Sequence, residues 1–320
     1  MTLHQKVLGV DAAKDWIDTC DLASGQIRRI ETTPHALKSF ARALPKDVLA
    51  VFEASGGYER PLMAALDAEG VAYARVNPRQ AREFARATGQ LAKTDKVDAR
   101  VLAEMGKALG LKPSTPADPA RRRLADLVAR RTDLVGMITA ETNRLAQAAE
   151  PFVRRSIQSL LILLKRRKVI LEKEIETQAR ASEQLAARNR RLRTAPGVGP
   201  CVATTLLAFL PELGTTERRP IACLVGLAPH ARDSGHRQGR RKIWGGRPEV
   251  RRALYTAAFV ASRHDPELKA MRDRLIKAGK PFKVAIIALA RKLLTILNAM
   301  IREDRDYETD RKHNPKTQPA

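Results

Sequence analysis

Aromatic side chains are scarce, 4% of 320 residues, so the chain offers little surface for stacking unpaired bases. Acidic residues are outnumbered by 59 Lys and Arg to 35 Asp and Glu, a net charge of +24, which excludes an acidic solvating protein. A hydrophobic content of 44% excludes a wholly disordered one. There are three cysteines, Cys20, Cys201 and Cys223; they are far apart and form no C-x-x-C pair, which argues against a disulfide framework and a cysteine zinc site. Apolar runs such as Val284 to Ala290 fall well short of the roughly 18 residues of a membrane span. The opening MTLHQKVLGVD has no signal-peptide core. These absences predict a cytoplasmic, nucleoid-associated protein with no membrane partner.

The positive charge is unevenly placed. Residues 1–110 carry 16 Lys and Arg against 14 Asp and Glu, whereas the other 210 carry 43 against 21. A nearly neutral head on a strongly basic body points to a polyanion bound mainly by the second part, with salt-dependent affinity. Nucleic acid is the natural candidate, although basic side chains on solvated helix faces give the same composition.

The head alternates short apolar runs with turn residues. Strands are expected at Val7–Val10, Trp16–Cys20 and Gln26–Thr32, then a helix at Pro34–Leu44, a strand at Val48–Phe52 and a helix near Tyr58–Glu69. A strand at Ala72–Val76 follows, with helices starting at Pro78 and Asp95. Three antiparallel strands followed by crossover units predict an α/β, RNase H-like (RuvC-like) fold over residues 1–111. After Lys112–Pro116 the pattern becomes helical. Leu124, Leu127, Arg131, Leu134, Ile138, Glu141 and Leu145 form a heptad seam with two polar interruptions, broken at Pro151. A second seam through Ile157, Leu161, Leu164, Leu171, Ile175 and Leu185 runs to about Arg191. Residues 117–191 therefore read as a helical hairpin or a dimerising coiled coil. Residues 192–305 read as a third, mostly helical unit, and the polar segment 306–320 as a disordered tail.

Four carboxylates stand where this layout converges on one end of the sheet. Asp11 closes the first strand, Glu53 follows the fourth, and Asp95 and Asp98 share one face at the start of a helix. Oxygen-only ligands suit Mg²⁺ or Mn²⁺, which can bridge a scissile phosphate. Capping and strand-end solvation are the plainer roles for the same residues. In TAPGVGP, Gly197 and Gly199 form a P-G-x-G turn like that of a helix-hairpin-helix, which offers backbone N–H groups to a DNA phosphate; a purely packing αα turn has the same letters. Ser234 lies among Arg232, Arg237, Arg240, Arg241, Lys242 and Arg247. Its own spacing is that of an ordinary turn serine, while the cations around it are candidate nucleic-acid contacts.

The pieces LGVDAAKD, VFEASGGYERPL, LAKTDKVDARVLA, TAPGVGP, LVGLAPHARDSGHRQGRRKIWGGRPEVRRALY and GKPFKVAIIALARKLL, in this order and from about Val7 to Arg302, resemble the DEDD transposases of bacterial insertion sequences. That family includes Piv-type DNA invertases and bridge-RNA-guided recombinases. The resemblance implies a RuvC-like domain, a coiled-coil segment and a C-terminal transposase domain. By position it implies that Asp11, Glu53, Asp95 and Asp98 bind metal, and that Ser234 attacks DNA to form a covalent phosphoserine link. It also implies donor and target DNA as partners and a structured bridge RNA that supplies sequence recognition. The expected activity is that of a transposase or site-specific recombinase that cuts and rejoins DNA. Its carboxylates and serine are expected in separate domains that meet in a homo-oligomer, a dimer or tetramer. The alternatives are a RuvC-like nuclease acting by metal-dependent hydrolysis, and a helical nucleic-acid-binding protein without catalysis.

Overall fold

The computed structural model describes residues 6–54, 56–90, 95–114, 118–230, 239 and 241–307. The chain divides into two compact units, Met1–Pro116 and Ala117–Ala320.

The first unit is built on a five-stranded mixed sheet in the order β3-β2-β1-β4-β5. Its strands are β1 (Lys6–Ala12), β2 (Trp16–Asp21), β3 (Ile27–Glu31), β4 (Val48–Glu53) and β5 (Ala72–Val76). The first three pair antiparallel, and β1, β4 and β5 pair parallel, which is consistent with the expected RNase H-like layout. Prolines at the first helical positions, where the missing N–H costs nothing, start α1 (Pro34–Ala43) behind the Thr33 cap and α3 (Pro78–Ala87) behind Asn77. The helix α2 (Arg60–Glu69) ends at Gly70 in the left-handed conformation. Strand alternation divides the core in two. Leu8, Val10, Ile17 and Phe52 face α1 and α2, while Val7, Val51, Ala74 and Val76 face Leu102, Ala103 and Met105 of α4 (Asp95–Ala108).

Two glycines let α4 lie directly on the sheet. A Cβ on Gly9 would fall 1.8 Å from the Ala99 carbonyl oxygen and 2.6 Å from the Ala103 nitrogen. A Cβ on Gly106 would fall 2.7 Å from Val51 and 2.9 Å from Val7. Gly106 therefore sits at the level of Val7, and Ala99 and Ala103 at the level of Gly9. The helix runs antiparallel to β1, and its first turn reaches the end of the strand where Asp11 stands.

The second unit is mostly helical. Helices α5 (Pro119–Gln147) and α6 (Pro151–Gln178) form an antiparallel hairpin, followed by α7 (Glu183–Thr194), α8 (Pro200–Phe209) and α9 (Arg218–Val225). A ribbon of β6 (Pro229–His230) and β7 (Lys242–Ile243) precedes α10 (Pro248–His264), α11 (Pro266–Lys277) and α12 (Phe282–Arg302). The heptad seam closes within the chain: Leu124, Leu134, Leu161, Leu164 and Ile175 are buried. The polar interruptions are ion-paired, Arg131 with Glu172 at 2.7 Å and Glu141 with Arg144. Leu124, Val128 and Ile175 also join the core formed with α8, α10 and α12, so the hairpin shares a unit with the C-terminal helices.

Three details depart from the sequence reading. The second seam does not continue unbroken to Arg191; α6 stops at Gln178, and Ser182 caps a new helix by accepting from Leu185 N at 3.2 Å. Tyr307, expected in a tail with nothing to pack, is buried, and its hydroxyl donates to the Asp265 carboxylate at 2.5 Å; residues 308–320 lie outside the described set. One helix, α12, is long and apolar enough to cross a membrane by length and composition, with a mean hydropathy of 1.9. Its apolar side instead fills the core through Ile286, Leu289, Leu293 and Leu297, and its buried Asn298 accepts from Gly214 N and donates to the Thr216 carbonyl, each at 2.8 Å.

The glycine contacts make a direct prediction. Gly9→Ala forces the α4 backbone off the sheet and lowers stability by about 1–3 kcal/mol or more, read as a shift in the urea midpoint. Gly136→Ala, on α5 with nothing within 4 Å of the new methyl, raises stability by about 0.5–1 kcal/mol.

Candidate active site

Asp11 and Glu53 occupy neighbouring parallel strands. The last recorded pair of β1 and β4 is Val10 with Phe52, so the next step along both strands brings Asp11 beside Glu53. Glu53 pairs in turn with Val76 of β5, and Asp11 with Asp18 of β2. Paired residues share a face of the sheet, and Val76 belongs to the core under α4. The two carboxylates therefore lie on the face that α4 covers, at the end its first turn reaches. Asp98 is half-buried in that turn and Asp95 opens the helix; the Asp95 side chain lies outside the described residues. Among the described residues no three Asp, Glu, His or Cys side chains close into a metal-holding cluster. The site's fit to a hard divalent cation lies in its all-oxygen donors and their shared place at one sheet end.

Two supporting carboxylates were not singled out from sequence. Asp18 is 1% exposed, directly across from Asp11, and its oxygens accept from Arg29 Nε at 3.0 Å and Nη2 at 2.7 Å. Arg29 is its cross-strand partner on β3 and also stacks over Trp16 at 4.6 Å. A carboxylate row of Glu53, Asp11 and Asp18 thus ends on a guanidinium that offsets its innermost charge. The signal was an aspartate inside the otherwise apolar strand Trp16–Cys20, a placement that demands a partner. Glu59 is the second, 2% exposed. Its carboxylate accepts from Gly57 N at 2.9 Å and pairs with Arg75 Nε at 3.4 Å. It pins the turn that follows Glu53, where Gly56 (φ 72°) and Gly57 (φ 113°) hold left-handed angles. Nothing in its spacing announced this.

In the second unit, the P-G-x-G letters do form a turn between two helices. Gly197 (φ 76°) is needed for packing, because a Cβ there would lie 2.2 Å from the Ala257 carbonyl of α10. Gly199 is exposed, caps α8 and has open space around it, so of the two it is the one placed to meet a ligand. Ser234, Arg232, Arg237 and Arg240 lie outside the described residues. By chain position they fall between β6 and β7, which pair antiparallel through Pro229 with Ile243 and His230 with Lys242. The base of that ribbon is tightly held. A Cβ on Gly246 would lie 2.3 Å from Gly226 N, and Arg251 donates to the carbonyls of Val225, at 3.3 Å, and Gly245.

Arg241 and Lys242 are exposed at this base. Arg247, expected to contact nucleic acid, is used internally: Nη1 and Nη2 donate to the two Glu212 oxygens at 2.5 and 2.6 Å, and Nη1 also to the Phe209 carbonyl at 2.9 Å. Burial pushes the Glu212 carboxyl up, but the Arg247 bonds and charge, with a smaller contribution from Arg121, hold it below the ordinary carboxylate range.

The profile of DEDD transposases of IS110 type matches residues 8–151, and that of the transposase IS116/IS110/IS902 family matches residues 189–273. The chain belongs to the IS110 family of transposases. The pilin gene-inverting protein of Moraxella bovis is 26% identical over 319 residues, covering 96% of this chain and 98% of the relative. Its counterpart in Moraxella lacunata matches to the same extent. The insertion element IS110 43.6 kDa protein of Streptomyces coelicolor is 33% identical over 121 residues, 37% of this chain and 30% of that one. IS110-family membership supports a recombinase acting on DNA and suggests dependence on a divalent metal.

Two substitutions test the supporting groups. Arg29→Ala leaves Asp18 buried and unpaired beside Asp11, and costs about 1–3 kcal/mol in urea denaturation. Arg247→Ala removes a pair whose carboxylate is held low. In the wild type that stabilisation is complete above the unfolded pKa of Glu212 and disappears as pH falls through its lower folded value. The variant is therefore less stable by about 1–3 kcal/mol at neutral pH, and the difference narrows as a thermal-melt series is carried below about pH 4.5.

Proposed function

We propose that this protein is a DNA recombinase that cuts and rejoins strands to insert, excise or invert a DNA segment. In this reading Asp11, Glu53, Asp95 and Asp98 hold Mg²⁺ or Mn²⁺, and Ser234 is the nucleophile. The observation that carries it is the convergence of Asp11, Glu53 and the first turn of α4 on one end of one sheet face. A bound divalent cation there would stabilise negative charge developing on a phosphate. The chain's own groups do the rest. Arg29 takes up the charge of Asp18 next to Asp11, Glu59 fixes the turn after Glu53, and the clamped base of the β6–β7 ribbon anchors the segment that carries Ser234. The serine oxygen attacks a phosphodiester, forming a phosphoserine ester and releasing a strand with a free hydroxyl, which takes up the proton. Attack by the hydroxyl of a new strand reverses the exchange, so the ester bond is conserved throughout.

The carboxylates belong to the first unit and Ser234 to the second, and the proposal has them meet in a homo-oligomer. Exposed apolar side chains on the hairpin, among them Ile162 at 54%, Leu163 at 50% and Ile170 at 60%, support association of copies. A bridge RNA that reads sequence by pairing is part of the same proposal; the basic surplus after residue 110 supports a phosphate-rich partner. The pilin gene-inverting relatives, aligned over nearly the whole chain, favour inversion as an outcome of the same chemistry.

The test combines purified protein, flanking RNA, Mg²⁺ and labelled donor and target DNA on a denaturing gel. Wild type gives a protein–DNA adduct and joined products, and Ser234→Ala and Asp11→Ala give neither. Cutting by Ser234→Ala without an adduct, together with loss of cutting in Asp11→Ala, would establish a hydrolytic nuclease instead.

A further inference from the structure

Aromatic side chains are few, yet two of the seven phenylalanines meet at the surface of the second unit. Phe259 of α10 and Phe282, the first residue of α12, pack edge to face with ring centroids 6.1 Å apart and planes at 83°. Phe259 is half-buried, and the Arg263 guanidinium lies 4.3 Å from its ring centroid. Phe282 is 48% exposed, and Val260 and Val284, close to them in the chain, are exposed as well. The turn before Phe282 fixes its place. Gly279 N donates to the Ile276 carbonyl and Lys280 N to the Leu275 carbonyl, so α11 closes on itself, and α12 opens at once with no side-chain cap. The aromatic pair therefore stands beside the positive end of a helix.

The free charges that flank this pair have one sign. Arg263, Lys280 and Lys283 are exposed, and none of them is ion-paired among the described residues. Between Arg263 and Lys283 the chain has three carboxylates. Asp265 is buried and accepts from the Tyr307 hydroxyl, Asp273 is held by Arg272 at 2.7 Å, and Glu267 lies in the first turn of α11. Such a patch is a poor contact for a second copy of itself, because a two-fold contact presses like charges together. It suits a ligand with flat apolar faces strung along a chain of negative charge.

We propose that Phe259, Phe282, Arg263, Lys280 and Lys283 form a binding site for unpaired DNA, in which a base stacks on the Phe282 ring and the cations take the flanking phosphates. In a duplex the base faces are already covered by their neighbours, so only an unpaired strand offers one to Phe282. The choice of DNA rests on the recombinase reading above, in which a strand is released with a free hydroxyl and must be held until it attacks again. The preference for a single strand rests on the aromatic pair alone.

The test measures binding of the full chain to a labelled DNA single strand of about 16 nucleotides, and to the corresponding duplex, by fluorescence anisotropy across a salt series. Phe282→Ala lowers affinity for the single strand about 5- to 30-fold and changes affinity for the duplex less than about twofold. Phe282→Trp keeps single-strand affinity, and the added indole fluorescence is quenched on binding. Phe282→Leu, apolar but without a ring, behaves as the alanine variant does. Arg263→Gln reduces the single-strand slope of log K against log salt by about 0.7, the release expected for one phosphate contact. An equal loss for duplex and single strand, or full affinity in Phe282→Leu, would overturn the site. Two other results also reject it. One is loss of affinity for single-stranded RNA of the same sequence but not for DNA. The other is a smaller assembly on sedimentation of Phe282→Ala with single-strand affinity unchanged, which makes the patch a contact between copies. If Ser234→Ala and Asp11→Ala recombine DNA like wild type while the single-strand loss in Phe282→Ala holds, the recombination chemistry fails and the stacking site stands.

Discussion

The backbone contact between α4 and β1 is the constraint on which the candidate active site depends. An α-helix on a sheet is ordinarily held off it by side chains from both surfaces. Here Gly9 removes the side chain from the strand and Gly106 removes one from the helix. The helix drops onto the sheet, its direction is set, and the turn with Asp95 and Asp98 comes level with Asp11. The start of α4 is thus brought to the end of the sheet that holds Asp11 and Glu53 by the smallest residue in the chain.

This dependence explains what could be read from letters and what could not. The short apolar runs at Val7–Val10 and Val48–Phe52, bounded by turn residues, marked two strands and put Asp11 and Glu53 at their ends; the face the two carboxylates share follows from the pairing of β1 with β4. The heptad spacing of Leu124 to Leu145 was equally plain, but periodicity records only that a stripe is buried, not what buries it. The partner proved to be α6 of the same chain. The break after Gln178 was hidden because apolar spacing carried on past it. Contacts that depend on long-range geometry left little trace. Glu59 reads as a surface glutamate until Gly57 and Arg75 surround it, and Tyr307 reads as tail until Asp265 is found 42 residues earlier in the chain. Arg247 was read only as one of a basic cluster, and nothing in that cluster announced that Glu212 holds its guanidinium.

The second unit therefore contains two populations of arginine. One is committed to carboxylates and carbonyls, and serves the fold much as buried polar groups do elsewhere. The other, together with the lysines, carries the surplus of positive charge. Net charge does not separate them; the hydrogen-bond partner of each guanidinium does. The nearly neutral first unit shows the same economy in reverse, with Arg29 and Arg75 assigned to the buried carboxylates Asp18 and Glu59.

The position of α12 has a consequence for synthesis. Domains form largely in the order in which they leave the ribosome. The first unit has its sheet and helices complete by Pro116, so it can fold while the rest is still being made. The second unit cannot close, because Leu289, Leu293 and Leu297 of α12 fill the middle of its core and are among the last described residues to be translated. A chain cut short by a late frameshift would retain a folded acidic-site unit attached to helices with no centre.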